Sequence, residues 1–515
     1  MDTRNKNNNM NRIPVITTLL LIFLGACSTK EQQKELKKPN ILFLLADDQR
    51  ASTIHTLGYN EIITPNLDRL VNEGTTFENA YIMGAMNGAV CSPSRAMIMT
   101  GRALFNIDPT GNTIDSTHIT MPRALQNAGY NTHHIGKWHN GTPAFKNSFL
   151  GGSKIFFGGM YRQYNVPTHE FDKDGNYTKE KIIRLKDKHS SELYADAGIE
   201  FLENYESEDP FFMYIAFQAP HDPREMPQEY MDMYDVDSLT LQPNFMPHHP
   251  FDNGEIDIRD EWLAGYPRTA AEIKANIAAY YAMITHLDAQ IGRVLKTLED
   301  KDMLENTIIV FSGDNGLAVG QHGLMGKQNL YEHSINVPLV FSGPGIAKGI
   351  KKSSLAYLFD IYPTLCSFAA VKAPATVQGQ VLPVMNTTQT QGRESMFFAY
   401  KHFQRAVRND RYKMIKYNVG DNITTQLFDL QEDPYETTNL VDNASYKTQL
   451  EKLTNLLTQQ MSDNNDEANI NEAGWGVEHV PAWVDKAGKN AEYYRSLANE
   501  ERKMRGFGAD VDTKE

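Results

Sequence analysis

NILFLLADDQ, residues 40–49, is an unbroken apolar run from Ile41 to Ala46 closed by two aspartates. A strand with one wet face alternates apolar and polar residues. A short continuous run reads instead as a strand buried on both faces, as in a parallel sheet covered by helices. Three more runs have this form: PFFMYIAFQAPHDP (210–223), NTIIVFSGDNG (306–316) and VPLVFSG (337–343). A fourth leads into HHIGKWHNG (133–141). Between them lie stretches with helical signals. TPNLDRLVNEG (64–74) has a cap, a proline and a closing glycine, and residues 122–128, 190–205 and 270–298 follow helical patterns. The pattern predicts an α/β fold with a large, mainly parallel sheet sandwiched by helices. In such sheets the functional groups collect at the carboxyl ends of the strands. Here those ends read ADDQ, GKWH, APHDP and SGDNG.

From about residue 380 the character changes. RESMFFAYKHFQRAVRNDRYKMIKY (393–417) and QLFDLQEDPYETTNL (426–440) predict a smaller C-terminal antiparallel-sheet subdomain, with a helix near 445–461. The expected division is a catalytic α/β domain over 39–379, a C-terminal subdomain over 380–462 and an extension over 463–515. Trp475 and Trp483 in that extension suggest that part of it packs. Residues 225–269 are long, irregular and rich in Pro, Asp and His, which marks a functional or disordered loop.

The first residues read as a targeting signal. Arg4, Lys6 and Arg12 precede an apolar run, Ile13–Leu24, that is too short to span a bilayer. LGAC, residues 24–27, resembles a bacterial lipobox, which implies a signal peptide over 1–26, lipidation of Cys27 and a polar tether over 27–38. The expected location is extracytoplasmic, with the mature protein lipid-anchored at Cys27 to a bacterial membrane, at the outer membrane or the periplasmic face. Removing residues 1–26 takes away three basic residues and one acidic one, leaving 47 and 63, a net charge of −16. That balance argues against nucleic acid as a partner and requires a locally cationic site for any anionic substrate.

Two of the three cysteines remain. Cys366 lies in an apolar helical run and reads as a small buried hydrophobe. Cys91 begins CSPSRAMIMTG (91–101), in a polar turn ahead of a helix, with Ser92 as a plausible N-cap, Pro93 as a first helical residue and Arg95 in the first turn. A helix N-terminus lowers a thiol pKa, so a thiolate nucleophile with a histidine base is one reading. It leaves unexplained the two acidic strand ends, Asp47–Asp48 and Asp314–Asn315, whose hard oxygen donors suit Ca²⁺ or Mg²⁺.

Taken together, CSPSRAMIMTG, GKWH, PHDP and SGDNG resemble, in order, the blocks of the formylglycine-dependent (type I) sulfatases of the alkaline-phosphatase-like superfamily. The resemblance implies that a sulfatase-maturation enzyme oxidises Cys91 to formylglycine (3-oxoalanine), whose hydrate attacks sulfur. It implies one Ca²⁺ held by Asp47, Asp48, Asp314, Asn315 and an oxygen of modified Cys91. Arg95, Lys137 and Lys327 would supply positive charge. Asp314 could take the proton of the attacking hydroxyl, His221 with Lys327 would protonate the leaving alcohol, and His139 would deprotonate the second hydroxyl to expel sulfate. Asn140 stands where family members commonly carry Leu, a change expected at the pocket wall.

The expected substrate is a sulfated carbohydrate, such as an algal or host polysaccharide fragment. Arg224, His248, His249, His402 and Arg405 are the candidate sugar contacts, because polar residues on loops near a pocket meet hydroxyls. Two alternatives stay open: a phosphate mono- or diesterase of the same superfamily, and a non-enzymatic lipid-tethered glycan-binding protein.

Overall fold

The computed structural model describes residues 38–108, 110–385 and 392–478. The signal peptide, the tether up to residue 37 with Cys27, and residues 479–515 with Trp483 lie outside the described residues. The strands, in chain order, are β1 (Asn40–Ala46), β2 (Gly74–Phe77), β3 (Ala80–Tyr81), β4 (Gly84–Ala85), β5 (Asn131–Lys137), β6 (Gly151–Phe156), β7 (Phe211–Ala216), β8 (Thr307–Gly313), β9 (Leu339–Ser342) and β10 (Ile350–Lys352), then β11 (Ala356–Tyr357), β12 (Met396–Tyr400), β13 (Gln404–Arg408), β14 (Tyr412–Val419) and β15 (Asn422–Asp429). The helices are α1 (Pro65–Asn72), α2 (Cys91–Thr100), α3 (Met121–Asn127), α4 (Thr142–Ser148), α5 (Ser190–Glu203), α6 (Gln228–Met231), α7 (Ala270–Asp300), α8 (Glu332–Ile335), α9 (Ile361–Phe368) and α10 (Lys447–Asp463).

Eight strands form one sheet in the order β10-β2-β9-β8-β1-β7-β5-β6. It is parallel except at β9, which runs antiparallel to both β2 and β8. The VPLVFSG run is therefore a sheet strand of opposite direction. The unbroken apolar runs have their reason in the two faces. Along β1, Ile41, Phe43 and Leu45 enter one core with α2, α3 and α9. Leu42, Leu44 and Ala46 enter the other core with α1, α5 and α7. Each residue of such a strand is worth about 1.5–3 kcal/mol of burial, whichever face it takes, so no polar alternation survives.

The smaller sheet has the order β15-β14-β13-β12-β4. Its four C-terminal strands are antiparallel, and β4 joins the edge parallel to β12. This sheet shares a core with α2, α3 and α9 through residues such as Phe397, Phe398 and Met414. Residues 225–269 carry α6 and short 3-10 turns, and they pack on the first half of α7 around Ile273, Ile277, Leu263 and Tyr234. That third apolar cluster explains how so irregular a segment keeps its shape.

Helix α1 has no cap from its own Thr64. Asp288 on α7 replaces it, accepting from Leu67 N (2.7 Å), Asn66 N (3.1 Å) and Asn66 Nδ2 (2.8 Å). Gly292, one turn on, lets the helices meet, because a Cβ there would stand 2.5 Å from Asn66 Oδ1. Asp288→Ala leaves the first turn of α1 without acceptors and is expected to cost about 2–3 kcal/mol. A lower urea midpoint with an unchanged m-value checks this, and an unchanged midpoint would refute the capping role.

Candidate active site

The parallel register of β1 and β8 pairs Ala46 with Gly313, so the residues after each strand emerge side by side. Asp48 N donates to Asp314 Oδ1 (3.0 Å), and Asn315 Nδ2 donates to Asp48 Oδ1 (2.7 Å). β7 and β5 follow on the other side of β1 and deliver His221 and Lys137. Lys137 Nζ pairs with Asp47, and Lys327 Nζ donates to Asp48 Oδ1 (2.5 Å). Arg95 lies one turn into α2; its Nε donates to Asp314 Oδ2 (2.7 Å) and its Nη1 to the Lys137 carbonyl (2.8 Å).

Cys91 is the first residue of α2, flanked by Val90, and is 2% exposed. This corrects the expected polar turn. Ser92 is not the cap; its hydroxyl donates to Gly111 O (2.7 Å). Asn140 is not a pocket wall either. Its Nδ2 donates to Ser92 O (2.9 Å) and Gly111 O (2.6 Å), which ties the loop after β5 to the first turn of α2. The Cys91 Sγ lies 3.4 Å from His139 Nδ1 and 3.6 Å from Lys137 Nζ. Burial pushes the thiol up to about 11 despite Lys137 and Lys327 nearby. Burial thus disfavours the thiolate form, which weighs against the thiolate reading.

The cluster holds three carboxylates, Asp47, Asp48 and Asp314, against three cations, Arg95, Lys137 and Lys327, each no more than 3% exposed. Burial alone would raise Asp47, yet Lys137, His221 and Arg95 hold it well below the carboxylate range. Burial and then the charge of Asp47 push Asp314 up to about 7. Burial, with Lys137 and Arg95, holds His139 well below its ordinary value, so the ring is a neutral proton acceptor. Asp48 and His139 both adopt left-handed backbone, φ 69° and 71°. Such strain in non-glycine residues persists where packing over-determines the conformation, and it concentrates at functional sites.

Three buried oxygens, Asp47 Oδ1, Asp48 Oδ2 and Asn315 Oδ1, have no hydrogen-bond partner. Ligand atoms of Asp47, Cys91 and Asp314 lie within 4.8 Å of one another, as do those of Asp47, Asp48 and His221. Unpartnered hard oxygens converging in a buried site fit a divalent cation of the calcium type.

A pocket of about 260 Å³ opens above Cys91 and is also lined by His139, His221, Lys327, Arg259, Asp260 and Gln328. His221 Nδ1 donates to Asp222 O (2.8 Å), which leaves Nε2 to face the pocket, 3.6 Å from Asp48 Oδ2. Gly159 closes over His139, where a Cβ would stand 2.5 Å from Nε2. Arg259, Asp260 and Gln328 were not singled out in the sequence. Arg259 binds Asp222 and Asp260, and Gln328 Nε2 binds Asp260 Oδ2 (2.7 Å). The irregular 225–269 segment was the signal for the first two, but nothing local ranked them above their neighbours.

The five candidate sugar contacts do not line this pocket. Arg405 is corrected to a structural role: 1% exposed, it pairs with Asp466 (2.5 and 2.9 Å). His249 is likewise enclosed, with Nδ1 donating to Phe251 O (2.6 Å) and Nε2 near Tyr331 Oη (3.2 Å). Arg224 is buried on Asn276 Oδ1 (2.5 Å) and over the Tyr280 ring. His248 sits half-buried against Tyr266, and His402 is exposed beside Trp475.

A family model described as Sulfatase matches residues 39–371, and one described as N-sulphoglucosamine sulphohydrolase, C-terminal, matches residues 320–463. The chain is 28% identical to the N-acetylglucosamine-6-O-sulfatase of Bacteroides thetaiotaomicron, over 87% of this chain and 92% of that relative. It is 30% identical to the arylsulfatase of Clostridium perfringens, over 82% of this chain and 94% of that relative. A solved protein in complex with its substrate D-glucosamine-2-N,6-O-disulfate superposes with a TM-score of 0.71 at 25% identity, covering 84% of this chain and 100% of the other. With its cysteine, its acidic strand ends and its three buried cations inside the matched segment, this chain belongs to the sulfatase family.

Proposed function

We propose that the protein hydrolyses sulfate esters of carbohydrates, using a formylglycine made from Cys91 by a maturation enzyme and one Ca²⁺ held by Asp47, Asp48, Asp314 and Asn315. The observation that carries this reading is the buried Cys91 thiol, set 3.4 Å from His139 Nδ1 and 3.6 Å from Lys137 Nζ on the pocket floor, beside the three unpartnered oxygens. A thiol held at about 11 is a poor nucleophile, which favours a converted side chain at this position. The hydrated aldehyde would supply the oxygen nucleophile and the ion would polarise the sulfate oxygens.

The remaining roles belong to residues in place. Arg95, Lys137 and Lys327 surround position 91 with positive charge, which offsets the charge of an incoming sulfate ester. His139, neutral and adjacent to position 91, is set to accept a proton there. His221, with Nδ1 anchored on Asp222, presents Nε2 toward the leaving alcohol, with Lys327 beside it. For the sugar, a relative is named an N-acetylglucosamine-6-O-sulfatase and a similar solved structure holds D-glucosamine-2-N,6-O-disulfate as its substrate, so 6-O-sulfated glucosamine is the first class to assay. We also assign residues 1–26 to a lipoprotein signal and Cys27 to lipidation, which places the enzyme outside the cytoplasm.

Peptide mass spectrometry of the Cys91-containing fragment, on protein from its native host, is expected to find sulfur replaced by oxygen, and elemental analysis of the same sample to find stoichiometric calcium. An unmodified thiol in an active preparation would sink the mechanism. His221→Ala is expected to lower kcat on a sugar sulfate by about 10²–10⁴-fold while sparing aryl sulfates with acidic leaving groups, which need no proton. Equal losses on both substrates would remove His221 from the acid role. Cys27→Ala is expected to move the protein from the membrane fraction to the soluble one, and retention on the membrane would overturn the anchor.

A further inference from the structure

Two charged residues on the wall of the pocket above Cys91, Arg259 and Asp260, take no part in the chemistry assigned to it. They begin a 3-10 turn, Arg259–Leu263, in the irregular 225–269 segment. The Arg259 guanidinium spans two buried carboxylates: Nη1 pairs with Asp222 Oδ2, and Nε lies 2.8 Å from Asp260 Oδ1. Asp222 is 2% exposed and Asp260 4%. From each carboxylate the contacts run on toward a different side chain of the pocket.

On one side Asp222 holds His221. The ring Nδ1 donates to the Asp222 carbonyl (2.8 Å) and lies 3.3 Å from its Oδ1, while Arg259 occupies the other carboxylate oxygen. The contact at Nδ1 fixes the direction of Nε2. On the other side Asp260 Oδ2 accepts from Gln328 Nε2 (2.7 Å). That Nε2 also donates to Gly88 O (2.8 Å), three residues before Cys91, and Gln328 Oε1 accepts from the backbone N–H of Lys327 (2.9 Å). Glu261, next in the turn, accepts from Met325 N (3.0 Å) and Gly326 N (2.9 Å). Gly326 permits this approach, because a Cβ there would stand 2.9 Å from Asp260 Cβ. One turn is thus clamped both to the segment that carries His221 and to the segment that carries Lys327. These two side chains meet across Asp48, with His221 Nε2 3.6 Å from its Oδ2 and Lys327 Nζ 2.5 Å from its Oδ1.

We propose that Arg259 and Asp260 are positioning residues for the departure of the alcohol: the arc Asp222–Arg259–Asp260–Gln328 fixes His221 Nε2 and Lys327 relative to each other across the pocket. The proposal rests on the acid role given above to His221. A guanidinium already flanked by two carboxylates has its charge compensated, so Arg259 acts by holding the pocket and not by drawing in the anion. Small displacements of a positioned group are costly, up to about a hundredfold in rate for about 1 Å.

The test uses matured, calcium-loaded protein and sulfate esters of increasingly basic leaving groups: 4-nitrophenyl sulfate, phenyl sulfate and N-acetylglucosamine 6-sulfate. In Arg259→Met the loss of kcat is expected to grow along that series, from less than about twofold on the nitrophenyl ester to about tenfold or more on the sugar ester, with KM changed by less than about twofold. In a His221→Ala background the same substitution is expected to change nothing further, because no ring is left to position. Asp260→Asn keeps the shape of the side chain and breaks one link of the arc. The same graded loss is expected there, and this variant carries the test if Arg259→Met does not fold. A raised KM at unchanged kcat would make Arg259 a substrate contact and overturn the positioning role. Equal losses on all three esters, or losses that multiply with those of His221→Ala, would reduce the arc to structural support and overturn it too. His221→Ala measured alone keeps the two readings apart. An ungraded loss in that variant removes the acid role and the positioning with it, whereas a graded loss there beside an ungraded one in Arg259→Met removes only the positioning.

Discussion

Charge compensation at the ends of four parallel strands is the constraint on which this structure depends. Three carboxylates and three cations sit within a shell no more than 3% exposed, where an unpaired charge is worth several kcal/mol of penalty. Arg95 is the member that joins the parts. One fork of its guanidinium holds Asp314 at the end of β8, and the other holds the carbonyl of Lys137 at the end of β5. Because Arg95 stands one turn after Cys91, the same contacts fix the first turn of α2 over the sheet. The position of Cys91 is thus set by ion pairing four residues away.

The surrounding packing has the task of excluding water from these pairs. All ten residues of α2, Cys91 included, are buried. Gly159 and Asn140 bring the chain close on two sides, the first over His139 and the second against Ser92. A dry site strengthens every charge within it, so modest displacements of Arg95, Lys137 or Lys327 would act strongly on an anionic ester. The same dryness disfavours a thiolate at Cys91, which is why the chemistry of this position cannot be read from the helix terminus alone.

The smaller sheet does more than cover the large one. Its core is continuous with that of α2, α3 and α9, and the edge strand β4, only a few residues before Cys91, pairs with β12.

The sequence by itself determined the sheet class and which acidic strand ends meet in the buried charged cluster. Unbroken apolar runs such as Ile41–Ala46 leave no wet face, and chemistry-bearing residues directly after such runs meet at one edge of a parallel sheet. The direction of β9 was not legible, because an apolar run carries no sign of its polarity. Cys91 as a helical residue, Asn140 as a staple and the pocket residues Arg259, Asp260 and Gln328 were decided only by tertiary structure. So was the reassignment of His249, on an irregular segment, and of Arg405, on β13, which Tyr331 and Asp466 arrive from distant segments to bury. The physical reason is common to these cases: burial and hydrogen-bond partners across long separations are properties of packing, and no local pattern of residue types encodes them.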